Sequence, residues 1–124
     1  NINIIGIEPI EAKGITDSLH RNSPLSKVQI NSIADSLCAP LHMPYSFSIA
    51  KQVIDRMINV NDDEMIDSMC YAFNNLKLFL EPACVTGFAA LQYYLKKELK
   101  GQNTLILLCG SNIDYQSWNK LVNS

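Results

Sequence analysis

The sequence predicts an α/β fold in which a partial, doubly wound parallel sheet is flanked by helices. The first observation is an apolar run at 104–108, Thr-Leu-Ile-Leu-Leu, that stops at a thiol, a glycine and small polar residues. A fully apolar run bounded by turn residues is typical of a strand buried on both faces, as in a parallel sheet covered by helices. The second observation is that strand-like runs alternate along the chain with segments of helical periodicity. Together they favour strands joined by right-handed crossovers.

The first strand is expected at Asn3–Glu8, where Pro9 ends the ladder because proline has no backbone N–H. Glu8 then stands at the carboxyl end of a strand. Such a carboxylate can act as a ligand, although a solvated loop acid is commoner. Residues 10–27 are expected to form a loop with a helical turn at 17–20, because glycine, asparagine and proline interrupt them.

The middle of the chain alternates between short elements. Residues 30–37 suit a short helix or a turn, and the prolines at 40 and 44 predict an extended connector between them. Apolar residues at three- and four-residue intervals predict an amphipathic helix at 46–55. A brief strand is expected to follow at 56–60.

A third helix is predicted to begin after Asn61. The Asn61 side chain can cap amides one turn on, Glu64 completes a capping box, and the acidic first turn complements the helix dipole. These acids are therefore interpreted as helix-start residues and not as a metal or acid–base cluster. The predicted buried stripe consists of Ile66, Met69, Cys70, Phe73 and Leu76.

A fourth helix is expected from Pro82, which suits the first helical position, to the lysines before Gly101. Its predicted buried face consists of Cys84, Phe88, Leu91, Leu95 and Leu99. Glu81 stands at the start of this helix and has two possible roles. It either caps the helix or faces the same crevice as Cys109, and the spacing alone favours the cap.

The last predicted strand, 104–108, ends at Cys109 and Gly110, and a short helix is expected at 113–121. Ligands of open α/β sheets lie beyond the carboxyl ends of the strands. Cys109 is therefore a candidate functional residue, and Gly110 would allow close backbone approach to a ligand.

Composition excludes several classes of protein. The net charge of −2 with scattered lysines and arginines leaves no basic footprint for a nucleic acid. No apolar stretch approaches the roughly 18 residues of a membrane span, so we expect a soluble, cytoplasmic protein. The four cysteines form no CxxC pair and predict neither a zinc cluster nor a disulfide framework. We expect reduced thiols, three of them filling the core.

Four ordered motifs carry a family resemblance: Ile4–Pro9, Ser32–Leu37, Lys77–Ala83 and Cys109–Asp114. They resemble the C-terminal part of the threonine and serine dehydratases, which are fold type II enzymes of the tryptophan synthase β-like superfamily and use pyridoxal phosphate (PLP). The resemblance implies that residues 1–124 form the C-terminal portion of the large catalytic domain. The chain begins within a strand-like run and without an initiator Met, which also makes us expect a fragment.

The resemblance implies a role for each candidate residue. Cys109 would hydrogen-bond the pyridine nitrogen of PLP, Glu81 would flank the cofactor ring, and Gly110 belongs to the same cofactor-binding motif. A thiol is a weak donor, so the ring nitrogen should stay largely unprotonated, which suits elimination of a β-hydroxyl over transamination. Glu8 and the carbonyl of Ala12 match a divalent-cation site of some members, whose second acid would fall at the glycine in position 14.

The resemblance also indicates what the chain lacks. The lysine that holds PLP, the substrate-carboxylate loop and the glycine-rich phosphate cradle lie upstream in the family, and nothing here resembles them. We therefore expect the chain to be inactive alone. Beside its missing N-terminal portion it would belong to a cytoplasmic ammonia-lyase, expected to be a homo-oligomer, that converts threonine or serine to a 2-oxo acid. Two alternatives stay open: a non-catalytic α/β interaction module, and a fragment of a serine racemase-like enzyme.

Overall fold

The structure, a computed structural model, describes residues 2–123 and has the predicted α/β architecture, with a small parallel sheet and flanking helices. Its strands and α-helices are β1 (Ile5–Pro9), α1 (Gly14–His20), α2 (Pro44–Val53), β2 (Arg56–Val60), α3 (Asp62–Tyr71), α4 (Thr86–Ala90) and α5 (Tyr115–Val122). Short 3-10 helices span Ile10–Ala12, Asp35–Leu37 and Pro82–Val85, and π-helical turns span Ala72–Leu76 and Leu91–Leu95. The chain forms two compact units that divide after Asn59.

The first unit is organised by the pairing of β1 with β2. The prediction of β2 is confirmed residue for residue, while β1 is shifted and includes Pro9 as its last residue. Gly6 permits a close contact in this sheet, because a Cβ there would collide with the sulfur of Met57. The predicted turn at 17–20 is part of a full helix, α1, and 30–37 contains only one 3-10 turn.

The second unit begins at α3, whose predicted capping box is confirmed. The Asn61 side chain accepts from the backbone N of Glu64 at 2.9 Å, and the Glu64 carboxylate accepts from the backbone N of Asn61 at 2.9 Å. These two bonds satisfy donors that a helix start otherwise leaves open.

The predicted buried stripe of α3 is confirmed only at Met69, because the helix is rotated from the expected orientation. The buried residues are Met65, Ser68, Met69 and Ala72, whereas Cys70 is half-buried and Phe73 and Leu76 are exposed. Small residues at 68 and 72 let α4 approach, and the Ser68 hydroxyl donates to the side-chain oxygen of Gln92 at 2.7 Å. The sequence pattern weights large apolar residues, while the packed face here is defined by small ones.

The segment after Glu81 is helical but is not one regular helix. It passes from a 3-10 turn into α4 and then into a π-helical turn. The predicted face is confirmed at Cys84 and Leu95, which are buried. Phe88 and Leu91 are only half-buried, and Val85 and Ala89 are fully buried instead. The predicted final helix is confirmed as α5. Its Trp118 packs against Phe73 and Phe79, with ring centroids 5.1 and 5.2 Å away.

The predicted strand at 104–108 is wrong. Leu105 and Leu107 are 88% and 80% exposed, and only the intervening Ile106 packs inward. A Cβ on Gly87 of α4 would lie 2.8 Å from Cγ2 of Ile106, so this side of the segment rests on α4. Within residues 2–123, β1 and β2 pair only with each other. The segment therefore has one covered face and no ladder partner.

No helix among residues 2–123 combines the length and the apolar character needed to cross a bilayer.

Candidate functional site

The candidate site lies in the second unit, where two stretches of chain meet. One stretch starts at Glu81 and continues into the 3-10 helix Pro82–Val85. The other is the Cys109 loop, defined here as residues 108–114, which lies outside any helix or strand. The backbone N–H of Gly110 donates to Sγ of Cys84 at 3.2 Å, so this bond fixes the loop against the 3-10 helix.

Glu81 faces the loop and does not cap its own helix. Among residues 2–123, no side chain provides a cap hydrogen bond to the helix at 82–85, so the favoured interpretation of Glu81 as a cap is wrong. Its side chain is buried, with 7% exposure, and a Cβ on Gly110 would lie 2.5 Å from its Oε1. The carboxylate thus occupies the space beside Gly110 that any larger residue would fill.

The two cysteines of the site have opposite environments. Cys109 is exposed on the loop, whereas Cys84 is 2% exposed. Burial raises the pKa of the Cys84 thiol above its ordinary value, the Gly110 N–H opposes that shift, and the neighbouring Cys109 thiol adds to it. The expectation that three of the four cysteines fill the core is wrong, because Cys38 and Cys70 are only half-buried.

Glu8 lies in the first unit, where its carboxylate accepts hydrogen bonds from the start of α1. Its Oε1 accepts from the backbone N of Ile15, and its Oε2 accepts from the backbone N and the hydroxyl of Thr16, all at 2.8–2.9 Å. The carboxylate therefore satisfies open donors at the positive end of the helix. Ala12 is buried at the end of the preceding 3-10 turn.

A divalent cation at Glu8 and Ala12 stays a prediction. Both oxygens of Glu8 already accept hydrogen bonds, so a cation would compete with the helix. In the described part of the chain, no group of three or more histidines, cysteines or acids is arranged to hold a metal ion.

The family resemblance, and not the spacing, implies that Cys109, Gly110 and Glu81 lie together, and the structure does bring Glu81 and the loop into contact. Sequence reasoning missed Cys84, which was assigned to a helix face because its spacing fitted a regular helix. The irregular 3-10 geometry after Pro82 directs this thiol to the loop instead. The one available indication was that Cys84 follows three residues after Glu81, within a single turn.

Comparison with known proteins supplies the family. A family model described as pyridoxal-phosphate dependent enzyme matches residues 1–110. Over 111 residues the chain is 42% identical to phenylserine dehydratase of Ralstonia pickettii. This alignment covers 90% of the chain and 34% of the dehydratase. The chain thus spans about a third of this relative's length.

Solved structures agree with the sequence comparison. The processed form of threonine deaminase isoform 2 from Solanum lycopersicum superposes with a TM-score of 0.85 at 27% identity, over 99% of this chain and 36% of that one. Serine racemase from Dictyostelium discoideum superposes with a TM-score of 0.78 at 29% identity, over 92% of this chain and 36% of that one.

Proposed function

Because the chain belongs to the family of pyridoxal-phosphate dependent enzymes, we propose that it is the C-terminal part of an L-threonine/L-serine ammonia-lyase. The complete enzyme converts a β-hydroxy amino acid to a 2-oxo acid and ammonia. The observation that carries this proposal is the meeting of the Cys109 loop with the buried carboxylate of Glu81. The likeness to a phenylserine dehydratase and to a threonine deaminase supports it.

The residues of the site fit one edge of the PLP ring. Cys109 offers an exposed sulfur, and Gly110 has no side chain, so the Glu81 carboxylate can lie directly against the loop. When bound, PLP supplies an electron sink for negative charge that develops at the α-carbon of an amino acid. In the proposal Cys109, Gly110 and Glu81 hold the cofactor at that edge.

Cys109 would hold the ring nitrogen without protonating it. A thiol is a weak hydrogen-bond donor and, unlike a carboxyl group, does not give a pyridine a full proton. By leaving the ring nitrogen unprotonated, Cys109 would favour loss of a β-hydroxyl over transamination. Glu81 would orient the ring, because its buried carboxylate is held beside Gly110.

The proposed enzyme needs more than this chain. We propose that the lysine that binds PLP lies in an N-terminal portion of the same catalytic domain, so that the chain alone is inactive. The complete enzyme is proposed to be cytoplasmic and homo-oligomeric. Its substrate is a β-hydroxy amino acid, and the name of the Ralstonia relative makes phenylserine a third candidate beside threonine and serine.

Co-expression with that N-terminal portion tests the proposal. We expect visible absorbance from protein-bound PLP and release of a 2-oxo acid from L-threonine, L-serine or L-phenylserine. Cys70→Ser is the matched control, because this half-buried cysteine lies outside the site. A co-expressed protein that never binds PLP would contradict the proposal. If hydrogen exchange of the lone chain then showed cooperative protection of its backbone amides, the result would favour a non-catalytic α/β interaction module.

A serine racemase-like enzyme is the second candidate, supported by the Dictyostelium serine racemase superposition. The same co-expressed protein discriminates the two activities. Formation of D-serine from L-serine, faster than formation of the 2-oxo acid, would favour the racemase. Formation of the 2-oxo acid without D-serine would favour the ammonia-lyase.

A further inference from the structure

A single hydrogen bond brings Cys84 close to Cys109. Gly110 N donates to Cys84 Sγ at 3.2 Å, and only one carbonyl carbon separates that nitrogen from Cys109 Cα. With standard bond lengths, Cys84 Sγ is within about 6 Å of Cys109 Cα. The side chains of Cys84 and Cys109 also interact with each other, so the two thiols are neighbours, as a disulfide requires.

We propose that Cys84 and Cys109 form a reversible disulfide, which makes the Cys109 loop a thiol–disulfide switch. The switch depends on the protein geometry alone and does not require a bound cofactor. It also differs from the role proposed above for Cys109, since that role concerns the reduced thiol.

The two cysteines have the environments that such a switch requires. Cys109 is exposed, so a soluble disulfide can reach its sulfur, whereas Cys84 is closed to solvent and close to its partner. Burial raises the pKa of the Cys84 thiol, and the Gly110 N–H directed at its Sγ offsets part of that rise, because a hydrogen bond to the charged form stabilises it. The Cys109 loop is in no helix or strand, so it can adjust to the geometry of an S–S bond.

The oxidant is a low-molecular-weight disulfide such as oxidised glutathione. The Cys109 thiolate attacks one of its sulfurs, a mixed disulfide forms and one glutathione thiolate leaves. The Cys84 thiolate then attacks the Cys109 sulfur, forms the Cys84–Cys109 bond and expels the second glutathione thiolate. The protein loses two electrons and two protons, and the glutathione disulfide is reduced to two thiols. Excess reduced glutathione reverses both steps.

Peptide mapping tests the switch on the folded chain. Trypsin cleaves after Lys77, Lys96, Lys100 and Lys120, so Cys84 and Cys109 fall in the separate peptides 78–96 and 101–120. Cys38 and Cys70 fall in two further peptides, 28–51 and 57–77. The protein is equilibrated with oxidised glutathione, alkylated, resolved as the monomer without reductant, digested and analysed by mass spectrometry.

We expect peptide 78–96 linked to peptide 101–120 in the monomer, and loss of this link after reduced glutathione is added. The variant with Cys38→Ser and Cys70→Ser should form the same link at the same rate. Cys84→Ser should instead accumulate glutathione on Cys109. Glutathione on Cys109 without a link in the wild type would overturn the proposal, and so would links to Cys38 or Cys70 of equal abundance. The wild-type map decides even if the Cys84→Ser variant does not fold.

A second measurement separates this inference from the proposed function. The disulfide should form in the lone chain, where no PLP enzyme is assembled. A link in the lone chain combined with failure of the co-expressed protein to bind PLP would uphold the switch and refute the ammonia-lyase. PLP binding by the co-expressed protein, without any disulfide link in the lone chain, would refute the switch and uphold the proposed PLP enzyme.

Discussion

Glu8 holds Thr16 by two hydrogen bonds, one from the backbone N at 2.8 Å and one from the hydroxyl at 2.9 Å. A third, from the backbone N of Ile15, uses the other carboxylate oxygen. Thr16 in turn accepts from the side-chain amide of Asn59 on β2 at 3.1 Å. Through these hydrogen bonds, Glu8 at the end of β1 is linked to α1 and, by way of Thr16, to β2.

Glu8→Gln should destabilise the protein by about 2 kcal/mol, because hydrogen bonds to a charged group contribute about 1.5–3 kcal/mol each and the amide nitrogen of glutamine would face donors. Urea unfolding measures the change, and Glu11→Gln is the control, since Glu11 is exposed. The same assay examines the predicted cation site. Stabilisation of the wild type by Mg²⁺ or Ca²⁺ that Glu8→Gln abolishes would support a cation at Glu8.

Gly110→Ala should displace the Glu81 carboxylate, because the new Cβ would lie 2.5 Å from its Oε1 and the buried side chain has little room to move. In the co-expressed protein we expect PLP affinity to fall about tenfold, or ~1.4 kcal/mol. Equilibrium titration with PLP measures it, with the exposed Ser111→Ala as the control. An unchanged affinity in Gly110→Ala would remove this contact from the cofactor site.

Cys109→Ser should retain ammonia-lyase activity within about an order of magnitude, or ~1.4 kcal/mol. The substitution exchanges one neutral hydrogen-bond donor, a thiol, for another, a hydroxyl. Cys109→Asp should impair the reaction more, since a carboxyl group can protonate the ring nitrogen. The steady-state rate of 2-oxo acid release is measured for the co-expressed wild type, Cys109→Ser and Cys109→Asp proteins. Equal rates in all of them would place Cys109 outside contact with the cofactor.

The docking of α5 should weaken in acid. Hydrogen bonds from the Ser117 hydroxyl and backbone N lower the pKa of Asp114, which caps this helix. A folded-state pKa below the unfolded value means that the stabilisation is present above the ordinary pKa and is lost as the pH falls through the folded one. Emission of Trp118, the single tryptophan, reports α5 directly because its ring is buried and packs against Phe73 and Phe79.

The control for that titration is Asp114→Asn, which keeps a capping oxygen but has no acid to titrate. Its Trp118 emission should be independent of pH over the range in which the wild type changes. A wild-type curve identical to that of Asp114→Asn would show that another group governs the acid transition.

Local patterns predicted the elements that are determined locally. The capping box at Asn61 and Glu64 was predicted because its donors and acceptors lie within one turn. The stripe of α3 was predicted wrongly, because the choice of Ser68 and Ala72 as the packed face depends on α4, which is distant in sequence. The same limit applies to Glu8, whose partners in α1 follow an intervening 3-10 turn that the sequence did not indicate.

The candidate site was predicted in part for the same reason. Cys109 and Gly110 could be singled out because small residues after an apolar run mark a loop at the end of a strand. The orientation of Glu81 and the participation of Cys84 depend on the 3-10 geometry after Pro82, which no periodicity encodes. The predicted strand at 104–108 failed because pairing needs a neighbouring strand, and within residues 2–123 it has none.

The uncovered leucines at 105 and 107 have a practical consequence for handling the protein. An extended apolar segment with unpaired backbone is a template on which other copies of the chain can add, so purified material should associate as its concentration rises. Light scattering over a dilution series would detect this association. The substitution Leu107→Lys should keep the preparation monodisperse.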